Sequence, residues 1–270
     1  MLAGGLYGRN WGVEWIYLSP HLDDVALSCG GLVWEQIRQG EKVAIWTVCA
    51  GDVPAGPMTP FAEGLHLRWK TGREAVAQRR TEDKQSCDIL GATARYFPIP
   101  DCIYRRAKDD SQPLYDSETA IFGPLHPAEG ELVEFLIGEF ARLVPEDANL
   151  VCPLTIGGHV DHRLTRQAAE KSGLELWYYA DYPYVSRDAS VLERIRGEGW
   201  ASVHFSVSES GLEAWQQAVA AHASQISSFW PDILAMREAV RAYMQSVQGV
   251  ELWQKGEIRG ALDTDQFANL

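Results

Sequence analysis

A chain of 270 residues, 46% of them hydrophobic, can bury a large core and has the length of one α/β domain. Asp and Glu number 37 against 24 Lys and Arg, a formal net charge of -13. Electrostatics alone then repels nucleic acid and anionic membranes, and favours a neutral or locally guided small-molecule substrate. No apolar run reaches about 18 residues, so no membrane span is expected, and the N-terminus lacks the basic, apolar and small-residue succession of a signal peptide. A cytoplasmic protein is the default expectation. The cysteines (Cys29, Cys49, Cys87, Cys102 and Cys152) are scattered and odd in number. They suggest neither a disulfide framework nor a thiolate zinc knuckle.

Glu14 to Ser19 reads as a short buried strand that runs into Pro20-His21-Leu22-Asp23-Asp24. Val25 to Gln39 reads as a helix stopped by Gly40. Lys42 to Cys49 is a second interior strand, and the Pro- and Gly-rich stretch Ala50 to Gly64 reads as a loop. An amphipathic helix is expected over Arg73 to Leu90, a strand over Arg95 to Ile99, a polar loop over Asp101 to Pro127 and a helix over Glu131 to Val144. Asn149 to Cys152 reads as a strand delivering Pro153 to His162, then a helix over Arg163 to Ser172 and a strand over Glu175 to Ala180. Helices near Leu212 to Ala223 and Ile233 to Val247 complete one domain over residues 1–270, with a helical C-terminal portion over 209–270. Strands alternating with helices imply an α/β fold with a mainly parallel sheet covered on both faces. Ligands of such sheets bind beyond the carboxyl ends of the strands, where both His- and Asp-bearing segments fall.

The residue chemistry of those segments is that of metal-assisted hydrolysis. A catalytic zinc takes three protein ligands and keeps one position open. His21 and Asp24, three apart across a strand-to-helix turn, can point to one place, and His162 can supply the third ligand. Asp23 is left beside the metal to take a proton from water. His159, three residues before His162, can polarise the developing oxyanion or protonate the leaving amine, with Asp161 to orient it. The plainer readings are an N-cap for Asp23 or Asp24, a loop position for a histidine, and a tight turn for Gly157-Gly158. Against them stands coincidence, since three of the seven histidines lie in these two strand-end segments.

The sequence resembles the LmbE-like, or PIG-L, family of zinc-dependent N-deacetylases. Pro20-His21-Leu22-Asp23-Asp24-Val25 followed by Gly30-Gly31 is similar to that family's Ala-His-Pro-Asp-Asp-Glu motif, and His159-Val160-Asp161-His162 to its His-Pro-Asp-His motif. Arg79-Arg80-Thr81-Glu82 looks like its Arg-x-x-Glu helix, and Ala218 to Gln225 like its alanine-rich segment ending in His-x-Ser-Gln. The resemblance implies a Rossmann-like fold and one zinc per chain on His21, Asp24 and His162. It implies Asp23 as general base, His159 as charged electrophile or acid, and Asp161 as its partner. Substrates would be N-acetylglucosamine-type or related amino-sugar conjugates, and homo-oligomers are frequent in the family. Leu22 and Val25 depart from the motif, which points to a subgroup.

Asp52, Arg79, Arg80, Tyr104 and Arg105 are candidates for substrate contact. His222 reads equally as a core histidine or a contact to the site. Two competing functions are a metal-dependent phosphoesterase, which would need more ligands for a second metal, and a non-catalytic sugar-binding module with a degenerate site.

Overall fold

The computed structural model describes residues 14–109, 112–188 and 190–256. The expected domain limits at residues 1 and 270, and the reading of the extreme N-terminus, lie outside them. In chain order come β1 (Glu14–Ser19), α1 (Asp24–Arg38), β2 (Lys42–Thr47), α2 (Pro60–Trp69), α3 (Ala75–Leu90) and β3 (Thr93–Tyr96). There follow α4 (Glu118–Ile121), α5 (Gly130–Leu143), β4 (Asn149–Pro153), α6 (Val160–Lys171), β5 (Leu176–Tyr179) and α7 (Ser190–Gly197). Then β6 (Trp200–Phe205), α8 (Glu209–Ala221), α9 (Ala223–Phe229), α10 (Ile233–Val247) and β7 (Val250–Lys255) complete the described chain.

The strands form one sheet in the order β3-β2-β1-β4-β5-β7-β6. The first five run parallel to one another. β7 runs antiparallel to both β5 and β6, so the sheet is mixed and not parallel throughout. β7 lies in the portion expected to be helical, and β6 lies just before it in a stretch with no strand expected. β7 carries Glu251 and Gln254 inside the fold, and Glu251 is tolerated there because Arg196, Ser202 and His204 all reach it. A buried carboxylate satisfied across strands hides a strand from hydropathy.

Ile16, Tyr17 and Leu18 of β1 are consecutive and all fully buried, as a strand covered on both faces requires. α1 packs with α3 and α8, and α5 packs with α6. Gly30 and Gly31 of α1 make room for α8: a Cβ on either would lie 2.6 or 2.7 Å from the Trp215 ring. The indole then donates to the Ala26 carbonyl at 2.7 Å.

The stretch 50–64 is not loop throughout, because α2 begins at Pro60. The Thr59 hydroxyl accepts from Ala62 N at 3.0 Å, with Pro60 at the first helical position. From β1 the chain builds outward to β2 and β3, then crosses to β4 and β5 on the other side. The loops leaving β1 and β4 therefore meet at the point where strand order reverses.

Candidate active site

The turn after β1 is tied by its own backbone. The His21 N–H donates to Asp24 Oδ2 at 2.7 Å, and the Val25 N–H donates to the Ser19 hydroxyl at 3.3 Å. Asp23 occupies the N-cap position of α1, yet its side chain makes no capping bond. Neither aspartate is spent on the helix end in the ordinary way. Asp24 Oδ2 lies 3.3 Å from His21 Nδ1 and 3.4 Å from His162 Nε2. The ligand atoms of His21, His159 and His162 lie within 4.8 Å of one another. Two ring nitrogens and one carboxylate oxygen thus converge, and the donor chemistry fits a divalent metal.

The second segment arrives through Gly157 and Gly158, with φ of 91 and 77 degrees, a conformation that favours glycine. α6 starts at Val160, three residues earlier than its apolar pattern suggests, because His159 caps it: Nδ1 accepts the Asp161 N–H at 3.2 Å. Asp161 and His162 therefore project from the first turn of the helix.

The outer nitrogen of each candidate ligand is held by a buried carboxylate. His21 Nε2 meets Asp161 Oδ2 at 2.9 Å, and His162 Nδ1 meets Asp181 Oδ1 at 2.6 Å. Such partners fix ring orientation and raise ligand basicity. Here the structure corrects an expectation. The Asp161 carboxylate is directed to His21, the Cys102 N–H and Arg105, and only the Asp161 backbone bonds to His159. Asp181 was missed in the sequence, although it stands one residue beyond the apolar run Glu175 to Ala180 and so satisfies the same strand-end rule.

Arg105 is the second correction. Its guanidinium lies behind His21, bonded to both Glu129 oxygens and 2.6 Å from Asp161 Oδ1. It is a buried strut and does not line the cavity.

Charge follows from burial and pairing. Burial alone would lower the His21 pKa, but its bonds to Asp161 and Asp24 outweigh this and raise it well above the usual range. His162 is likewise carried to about 9, against burial, by Asp24 and Asp181. Asp23 moves the other way for a carboxylate, pushed up to about 6 by burial while Arg79 pulls it down less. Burial, then repulsion from His21, drives His159 well below its ordinary value.

Above these groups opens a cavity of about 210 Å³, whose floor includes His21, Asp23, Asp24 and His159. Of the five candidates for substrate contact, Arg79 alone lines it, 3.6 Å from Asp23 and stacked on Trp69 at 5.5 Å. Arg80 pairs with exposed Asp52 at 2.5 Å and bonds the Ala50 carbonyl, outside the cavity. Tyr104 is buried with its hydroxyl 2.5 Å from His66 Nε2. The Arg-x-x-Glu and His-x-Ser-Gln segments meet: Glu82 accepts from Ser224 Oγ at 2.7 Å, and Gln225 lines the cavity. Sequence reasoning also missed Asp101, 3.8 Å from His21 Nε2, and the aromatic wall of Phe122, Tyr184 and Phe229.

Residues 16–172 match the family described as PIG-L, GlcNAc-PI de-N-acetylase. A 2'-N-acetylparomamine deacetylase of Streptomyces fradiae is 32% identical over 71% of this chain and 65% of its own length, so the chain spans slightly less than two thirds of that relative. The 2'-N-acetylparomamine deacetylase of Niallia circulans is 28% identical over 68% of this chain and 71% of its own. Among solved structures, the zinc-inhibited form of teicoplanin deacetylase Orf2 superposes with a TM-score of 0.74 at 25% identity, covering 89% of this chain and 97% of that one.

Proposed function

The chain belongs to the PIG-L family, and from that premise we propose that it is a zinc-dependent hydrolase of amide C–N bonds that removes the acyl group of an N-acetylated amino-sugar conjugate. The observation that carries this is Asp24 Oδ2 set between His21 Nδ1 and His162 Nε2, with both outer ring nitrogens already engaged by Asp161 and Asp181. We take His21, Asp24 and His162 as the ligands of one zinc per chain. When bound, the ion lowers the pKa of water and polarises the amide carbonyl.

The chain's own residues do the rest. Asp23, with its carboxyl near neutral affinity for a proton, accepts one from water and delivers it towards the amide nitrogen. Arg79 holds Asp23 in place from the cavity wall. His159 acts as a neutral donor: with Nδ1 accepting the Asp161 N–H, the proton sits on Nε2, where it can bond the oxyanion. The resemblance implied a charged His159; the bond accepted at Nδ1 supports the neutral form instead. Asp161 positions His21, with Arg105 and Glu129 behind it.

The parallel strands support reading the fold as Rossmann-like, and their place in one sheet supports reading the described residues as one domain. Among the described residues no helix is long and apolar enough to cross a membrane. The cysteines are free and buried, in keeping with a cytoplasmic enzyme.

The test is to strip the protein of metal, titrate zinc back, and assay acylated amino sugars, acyl amino acids and phosphoesters. Amine release from the first group alone, saturating near about one zinc per chain, is expected. Because the Orf2 relative is known in a zinc-inhibited form, activity is read up to equivalence and not in excess. Phosphoester turnover, or activity without metal, overturns the reading.

A further inference from the structure

The catalytic cavity does not end at its aromatic wall. A second cavity of about 550 Å³ lies between the end of α2, α9 and the start of α10. It shares Arg68 and Trp69 with the first, so the two adjoin at those side chains. Its surface adds Lys70, Ile226, Ile233 and Leu234. Ile233 and Leu234 are 45% and 72% exposed, large apolar side chains held in water beside a site. The local charge is positive. The one acid among its lining residues, Asp232, spends an oxygen on capping Ala235 N at 2.9 Å, while Arg68 and Lys70 have no ion-pair partner among the described residues.

We infer that this groove is the subsite for the aglycone of the substrate, and that the aglycone joins an apolar stretch to an acidic group. The inference rests on the amino-sugar deacetylase reading. The sugar amide would sit over Asp24 and the aglycone would leave past Trp69, whose ring also carries the Arg79 guanidinium. Apolar atoms cover Leu234, and the acid faces Arg68 and Lys70. A polycationic conjugate is disfavoured at this rim, because both free charges there are positive. With a protein of net charge -13, an acidic substrate is guided only locally, by these two cations.

The experiment uses the zinc-loaded full chain and three glycosides of N-acetylglucosamine: methyl, octyl, and an octyl chain ending in a carboxylate. Binding of each is also followed by calorimetry, which needs no turnover. KM is expected to fall about tenfold from methyl to octyl and further to carboxyoctyl. Leu234→Asp, at an exposed position, should erase the octyl advantage, and Lys70→Glu the carboxylate advantage. Both variants should keep wild-type kcat/KM on the methyl glycoside. Equal binding of the three glycosides, or a chain-length preference that survives Leu234→Asp, overturns the subsite. Dimerisation in sedimentation that Leu234→Asp abolishes, with no change in glycoside binding, overturns it in favour of a second copy. If none of the three is hydrolysed while calorimetry still ranks them as expected, the deacetylase reading fails and the groove stands.

Discussion

The floor of the site and its rim are built on opposite terms. The floor, from His21 to Asp24 and from His159 to His162, hangs on the ends of β1 and β4, and nearly every polar group there is buried and paired. Its two candidate ligand histidines each have a carboxylate behind them, and one of those carboxylates has an arginine behind it. The rim, from α2, α9, the start of α10 and the turn of Tyr184–Arg187, exposes Arg68, Arg187, Ile233 and Leu234 with few partners. The difference teaches where each property resides. Reaction type is held by rigid, over-determined groups, and substrate choice by late, exposed segments whose replacement costs the core little.

That division can be broken most severely at Asp23. Asp23→Asn should keep bound zinc while lowering kcat by about 10³, as the loss of a general base does. Unchanged kcat with full metal content would remove the role. Arg105→Met comes next, since it strips the shared cation from Asp161 and Glu129. A loss of about 3 kcal/mol in denaturant unfolding is expected, because two buried carboxylates lose their partner. If stability is unchanged, the strut is dispensable and the floor is not over-determined.

Asp181→Asn sharpens the picture with a smaller effect. It keeps an acceptor for His162 Nδ1 but removes the charge, so zinc affinity measured by chelator competition should drop roughly tenfold. His222 offers a pH test. Its ring is buried and neither nitrogen has a hydrogen-bond partner among the described residues, and burial, then Arg79, depresses its pKa to about 3. The unfolded histidine, with an ordinary pKa near 6.5, binds its proton first as pH falls. Stability is therefore fully present above about 6.5 and lost progressively down to about 3. His222→Leu should flatten the melting-temperature profile between those limits, with its stability gain over wild type largest at the acid end. A profile as steep as wild type would place the acid lability elsewhere. The rim should give least: Arg187→Ala, which frees Tyr184 from its stacked cation at 5.1 Å, is expected to shift KM about threefold and leave kcat alone. A collapse of kcat would mean that rim and floor are not separate.

The parts of the site readable in sequence are those whose members are close neighbours. His21 and Asp24, or His159 and His162, share one turn, so local geometry alone brings them together. The supporting acids are single residues in different loops. Asp101, Glu129 and Asp181 acquire meaning only when the sheet order lays β1, β4 and β5 side by side. Arg105 and Tyr104 are candidates for substrate contact in a polar loop, but this loop folds inward against Glu129 and His66. The α2 cap at Thr59-Pro60 was present in the sequence but lay in a stretch dominated by Pro and Gly.

Sequence by itself determined the strand-end motifs, the alternation that makes an α/β fold, and the donor types for a metal. Each follows from local spacing or from the chemistry of one side chain. Only tertiary structure decided that the sheet closes with two antiparallel strands, that Asp161 serves His21 and only its backbone His159, and that a second groove opens beyond Trp69. Those outcomes depend on residues distant in the chain, brought together by burial of the sheet's two faces, and no local pattern encodes that pairing.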